Sequence, residues 1–346
     1  MLGATPTDRS PMASAKPSDA LRQMITGCLV TQLIYVVAKI GVADRLATGP
    51  STADDLAAAA GVHPQALYRV LRALASLGVF VEDDRGRFSL TEAAAGLRSD
   101  APDSLQAFAM LWGEVLWPSC GALLHSVPTG QPAFDHLHGM GVFEYLPQHP
   151  QAAQIFDRAM TNLTRRLAQP VVAAYDFSSL NTVVDVGGGQ GILLAAVLRA
   201  NPRLKGVLYD RPDVLPTARR TLAGEGVLER CVLVRGDFFS LVPEGGDAYL
   251  LKDVLHDWDD RRAVAILTTC ARAMAPSARL LVVERSLPAA NVAGPAKLVD
   301  ITMLAVTGGR ERSEREYADL FRQAGLRLTR AVPTGSEMQL FEAAAA

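Results

Sequence analysis

From Thr182 onward, short β-branched runs alternate with stretches of helical length: TVVDV, GVLYD, CVLV, AYLL and RLLVV, closed by LRLTRAV and MQLFEA. A chain patterned this way is an α/β fold, a doubly wound parallel sheet with helices on both faces. The gaps predict helices at about 191–200, 212–224, 260–274, 295–305 and 313–324. The first strand runs into Asp185-Val186-Gly187-Gly188-Gly189-Gln190-Gly191. Ligands of open α/β sheets bind at such a turn, where glycines let a ligand lie directly against main-chain amides.

A dinucleotide fingerprint GxGxxG would need glycine at 192 or 194, and Ile192 and Leu194 stand there. The pyrophosphate grip is missing, which disfavours an NAD-dependent oxidoreductase. Asp210 closes the second strand 19 residues beyond Gly191, where a carboxylate can accept hydrogen bonds from both hydroxyls of a ribose. Asp237 and Phe238, after the third strand, are placed to bond an adenine amino group and stack on its ring; a plain strand-end turn is the other reading. The three strand ends together describe a nucleoside site without a polyphosphate grip.

The fourth strand leads into Lys252-Asp253-Val254-Leu255-His256-Asp257-Trp258-Asp259-Asp260. His256 follows a strand C-terminus on the same sheet edge as the nucleoside site, and an imidazole titrating near 6.5 can accept a proton at physiological pH. Asp257, Asp259 and Asp260 suit the first turn of the next helix better than a metal site, which needs several converging oxygens; no metal is expected. Glu284 ends the fifth strand and Glu311 precedes the last helix. Either can hold the far nitrogen of His256 and fix its tautomer. The pair His136 and His138 lacks a third ligand and is read as loop.

The N-terminal part has a different pattern. Residues 1–18 are Pro-, Ser- and Ala-rich and read as a flexible tail. Apolar residues then recur at helical spacing from Leu21 to Leu46, followed by two short helices and a two-strand wing turning at Asp84, Arg85 and Gly86. Ser51 or Thr52 caps the first short helix, and Leu67, Val70, Leu71, Leu74 and Leu77 form the stripe of the second. This is a winged helix over 19–100, yet residues 51–100 hold five arginines against seven acids, so a duplex would be repelled. With a whole-chain charge of −2, nucleic acid is excluded as a partner and dimerisation is the better role. Residues 101–170 form a helical connector with aromatic and Met positions, among them Trp112, Phe143, Phe156 and Met160, available to wall a small-molecule pocket; residues 171–346 form the catalytic domain. The four scattered cysteines suggest reduced thiols in a cytoplasm. The N-terminal stretch lacks the apolar core of a signal peptide, and Gln32 and Lys39 interrupt the greasiest segment, so no membrane is expected.

DVGGGQG, YDRPDV, GDFF, LKDVLHDWDD, VVERSLP and GGRERSEREYADLFRQAGL, in this order, resemble the S-adenosylmethionine-dependent O-methyltransferases, in the subgroup of plant caffeate and flavonoid enzymes and bacterial polyketide O-methyltransferases. The resemblance runs from about residue 20 to the end. It implies a Rossmann-like class I methyltransferase domain with a seven-stranded sheet, an N-terminal winged-helix dimerisation domain and a homodimer. It implies S-adenosylmethionine as cofactor, S-adenosylhomocysteine as product and a phenolic secondary metabolite as acceptor. By that match, Gly187, Asp210, Asp237, Phe238 and Lys252 contact the cofactor, joined by Asp185 and Gly189 of the same turn. His256 is the general base, flanked by Glu284 and Glu311. Phe156 and Met160 line the acceptor pocket, and Trp112, Asp257 and Met303 are further lining candidates. Arg211 and Asp253 depart from the family pattern, which leaves the acceptor open. Two other readings are a relative performing hydroxylation or decarboxylation and a non-enzymatic winged-helix regulator; retention of the histidine and both acids favours methyl transfer.

Overall fold

The computed structural model describes residues 16–346. Most of the expected tail therefore lies outside the described residues; its last two positions begin the first helix. The chain divides into two compact units that meet at Gly113 and Glu114, a boundary inside the segment read as a connector.

The first unit opens with α1 (Pro17–Lys39), started by proline at a position where a missing amide hydrogen is harmless. Gly41, in the left-handed conformation, separates it from α2 (Val42–Leu46), so the helix expected over Leu21–Leu46 is two. In α1 only Val37 and Ala38 are buried, while Leu21, Met24, Ile25 and Leu29 are exposed along one stripe. By length and apolarity alone α1 could cross a membrane, a possibility the broken hydropathy of the sequence had excluded. Next come β1 (Ser51–Thr52) and α3 (Ala53–Ala60), with Thr52 as the capping residue, accepting from the Asp55 amide at 3.2 Å. His63 and Pro64 open α4 (Pro64–Ser76). Leu67, Leu71 and Leu74 of its expected stripe are buried, but Val70 is half-buried and Leu77 exposed, because the helix ends at Ser76. The wing is β2 (Phe80–Glu82) against β3 (Arg87–Leu90), and β3 also pairs with β1. Short helices α5 (Glu92–Ala95) and α6 (Gln106–Met110) finish the unit.

The second unit begins with helices α7 (Trp117–Gly121), α8 (Leu123–Thr129), α9 (Ala133–His138), α10 (Val142–Gln148) and α11 (Pro150–Ala174). His136 and His138 are thus helical, not loop. His136 stacks on His125 at 3.9 Å between ring centroids, and His138 packs between Phe134 and Tyr145. The sheet follows as β4 (Thr182–Val186), β5 (Lys205–Asp210), β6 (Cys231–Arg235), β7 (Ala248–Lys252), β8 (Arg279–Glu284), β9 (Leu326–Pro333) and β10 (Gln339–Ala345), in the spatial order β6-β5-β4-β7-β8-β10-β9. Strands β4 to β8 pair in parallel and β10 runs antiparallel to both its neighbours. Helices α12 (Ile192–Ala200), α13 (Leu215–Gly224), α14 (Asp260–Ala273), α15 (Ala296–Val306) and α16 (Glu314–Gln323) occupy the expected gaps. One core packs α11, α12 and α13 against the sheet and a second packs α14 and α16 against its other face. Strand order reverses between β5–β4 and β4–β7, so the C-terminal ends of β4, β5, β6 and β7 frame one crevice.

Candidate active site

Gly187 holds φ +68° in the turn after β4, and a Cβ there would meet Val254 at 3.1 Å and Phe238 at 3.5 Å; the turn is shaped for close approach to main chain. Asp210 is aimed back at it: Oδ2 accepts from the Gly189 amide and Oδ1 from the Arg211 amide, both at 2.7 Å. Asp185 is buried, and its Oδ2 has no hydrogen-bond partner among the described residues. Burial pushes its carboxyl up to about 7, Asp210 adds to the effect, and Lys252 opposes it. A buried carboxylate oxygen left unpaired beside a ligand turn fits a cationic ligand group, which would relieve its desolvation. Phe238 lies beside the turn, edge-on to Phe239 and Trp258. Asp237 shows strand-end turn geometry, with its carboxylate accepting from the Phe239 amide at 2.9 Å and the Ser240 hydroxyl at 3.2 Å.

Beyond β7 the chain is pinned from several sides. Lys252 pairs with Asp253, which adopts φ +50° and also meets Arg285 at 3.2 Å. Glu284 Oε1, at the end of β8, accepts from three successive amides: Val254 at 3.0 Å, Leu255 at 2.8 Å and His256 at 3.4 Å. The His256 carbonyl accepts from the Arg310 amide at 2.9 Å. A Cβ on Gly309 would fall 2.0 Å from that carbonyl oxygen, so only glycine lets the two loops lie this close. Arg312, fully buried, donates to the carbonyls of Leu255 at 3.0 Å and Trp258 at 2.8 Å and to Asp260 at 2.9 Å.

The result is a fixed imidazole. His256 is 7% exposed; its Nδ1 lies 2.8 Å from Glu311 Oε1 and 3.8 Å from Glu284 Oε2, and its Nε2 lies 3.8 Å from Asp257 Oδ1. The sequence left Glu284 and Glu311 as equal candidates to hold the ring; Glu311 makes that hydrogen bond and Glu284 holds the backbone. Burial opposes charge on the ring, but Glu284, Asp257, the Glu311 hydrogen bond and Asp253 together prevail and push its pKa up to about 10. Burial in turn pushes Asp257 and Glu284 up to about 7 against the pull of His256. Donor atoms of Asp253, His256 and Glu284 come within 4.8 Å of one another, but a divalent ion there would face Lys252 and Arg285, already paired with Asp253.

Phe156 and Met160 sit one turn apart on α11, both half-buried. Burial pushes up the carboxyl of Asp157, between them, and Gln190 of the glycine turn opposes that shift. Trp258, which sequence reasoning passed over, packs against Phe143 at 5.7 Å, and Phe143 meets Phe156 at 6.4 Å. Met303 is half-buried on α15. Trp112 belongs to the first unit, where it meets Phe108 edge-on at 6.1 Å.

The family model of an O-methyltransferase domain matches residues 121–327, and that of the O-methyltransferase dimerisation domain matches residues 22–99. The chain belongs to the O-methyltransferase family and is a methyltransferase. It is 45% identical to the phenazine O-methyltransferase PhzM of Lysobacter antibioticus over 332 residues, covering 96% of this chain and 97% of that protein. The crystal structure of LaPhzM superposes with a TM-score of 0.93 at 44% identity, covering 96% of this chain and all of the other. The O-methyltransferase NcsB1 from neocarzinostatin biosynthesis, solved with S-adenosylmethionine and 2-hydroxy-5-methyl naphthoic acid, superposes with a TM-score of 0.83 at 35% identity over 96% of this chain and all of that one.

Replacing Arg312 with Met strips the carbonyls of Leu255 and Trp258 of a buried charged donor. The expected outcome is a loss of about 2–4 kcal/mol in urea unfolding, together with lower turnover. An unchanged unfolding midpoint would show that the loop does not depend on this arginine.

Proposed function

We propose that the protein methylates a phenolic hydroxyl of an aromatic, polyketide-type secondary metabolite in antibiotic biosynthesis, with His256 as general base. The observation that carries this reading is the buried imidazole held through Nδ1 by Glu311, which leaves Nε2 as its free face. S-adenosylmethionine is the methyl donor, and it supplies an electrophilic methyl carbon on a positively charged sulfur. Gly187 and Gly189 offer main chain to it, Asp210 accepts from its ribose hydroxyls, Asp237 and Phe238 take the adenine, and Asp185 and Lys252 meet its polar end.

The acceptor lies against Phe156 and Met160, with Asp257 and Met303 as further lining residues. A phenol resembling tyrosine has a pKa near 10 and is a poor nucleophile at neutral pH. His256 Nε2 removes that proton. Only the neutral ring can take it, and the carboxylates that push the His256 pKa up favour the imidazolium once it forms, so the fraction of neutral base, and with it the rate, should rise with pH. Glu311 and Glu284 balance the imidazolium so formed, and Asp257 faces it from the Nε2 side. The resident cations around Asp253 favour a reaction without metal.

The exposed stripe of α1 is the face for a second copy of the chain, since the dimerisation match begins within this helix; a homodimer in the cytoplasm uses it without a membrane. The acidic balance of the winged helix supports the same role over nucleic acid.

Replacing His256 with Gln is expected to lower kcat by about 10²–10⁴ while calorimetric binding of S-adenosylhomocysteine stays within a few fold; undiminished turnover would reject the base. In light scattering the protein should weigh twice the chain's 36.9 kDa, and the pair Ile25→Asp and Leu29→Asp should halve that mass. A wild-type monomer would remove α1 as an interface.

A further inference from the structure

Arg211 follows the ribose-side acid at the end of β5, and neither the cofactor contacts nor the base explain it. Its amide bonds Asp210, whose other oxygen bonds the Gly189 amide. Its guanidinium reaches the opposite way: Nη1 donates to the Phe143 carbonyl and Nη2 pairs with Asp213, each at 2.8 Å. The carbonyl it takes is a special one. Four residues beyond Phe143, where a helix would supply the amide donor, stands Pro147, which has no N–H. Arg211 therefore satisfies the very acceptor that the proline orphans. The helix itself, α10, is seven residues long, and Gly141 offers it no side-chain cap, so it leans on tertiary contacts. Its Phe143 ring packs at 30° on Trp258, two residues past His256, and edge-on to Phe156.

We infer that Arg211 is a positioning residue for the acceptor. It ties the aromatic wall of Phe143, Trp258 and Phe156 to the strand end that carries Asp210, and so sets affinity and selectivity for flat acceptors without taking part in proton or methyl transfer. This rests on the proposal that Phe156 lines the acceptor pocket.

The test compares Arg211→Leu, Arg211→Lys and Phe156→Ala, using one two-ring and one single-ring acceptor, each the best of its kind in a phenolic panel. Calorimetry with S-adenosylhomocysteine is run alongside. Arg211→Leu should raise the acceptor KM by about tenfold or more with a much smaller change in kcat, narrow the preference between the two acceptors, and leave S-adenosylhomocysteine binding within about twofold. Arg211→Lys, which keeps a charged donor, should recover most of the loss. If Phe156→Ala raises the acceptor KM and Arg211→Leu does not, the inference is overturned and the pocket stands. If neither moves it, the pocket reading falls as well. Equal losses in cofactor and acceptor binding in Arg211→Leu would also overturn it, since they report general loosening.

Discussion

A single hydrogen bond between two buried groups, 2.8 Å from Glu311 Oε1 to His256 Nδ1, decides which nitrogen of the imidazole is engaged and which is left to other partners. Ring nitrogens exchange roles when nothing holds one of them, and a base presented in the wrong tautomer is a donor instead of an acceptor. Burying the carboxylate makes the choice strong, because water cannot compete for either partner. The same burial makes it demanding: the acid must be delivered to the ring by a loop that is itself fixed.

Much of the surrounding structure serves that delivery. Glu284 spends one oxygen on three consecutive amides and thereby shapes the turn that carries His256. Arg312 reaches under the same turn from the far side, and Gly309 lets the Glu311 loop approach without a side chain between. Asp300 completes the arrangement by accepting from the Glu311 amide at 2.8 Å. The acids thus divide the labour: one orders backbone, one orders the ring, and Asp257 lies 3.8 Å from the other ring nitrogen.

Local pattern made the sheet and its helices legible in the sequence, because β-branched runs and 3.6-residue stripes are dictated by nearest neighbours. The ligand turn and His256 were legible for a related reason, since strand ends in this architecture all open on one edge. What could not be read was anything set by loop closure. Glu284 and Glu311 carry the same chemistry at comparable sheet edges, and only the path of residues 308–312 separates their roles. Phe143 was one of several aromatic positions that could be core or wall, and Trp258 was passed over, because their contact joins a helix of the connector to the turn after β7. The break of α1 at Gly41 and the exposure of Leu77 turn on where helices stop, which propensity defines poorly. Arg211 was noticed as a departure, but its partner, a carbonyl orphaned by Pro147, lies 68 residues away.

The central claim concerns one ring, and nitrogen NMR of histidine-labelled protein reads it directly. The account predicts that His256 carries its proton on Nδ1 when neutral. It also predicts that Nε2 titrates well above the ordinary 6.5, because neighbouring carboxylates favour the cation. In Glu311→Gln, with one of those negative charges gone, the midpoint should fall. A neutral form protonated on Nε2, or a midpoint at or below 6.5 in the wild type, would contradict it.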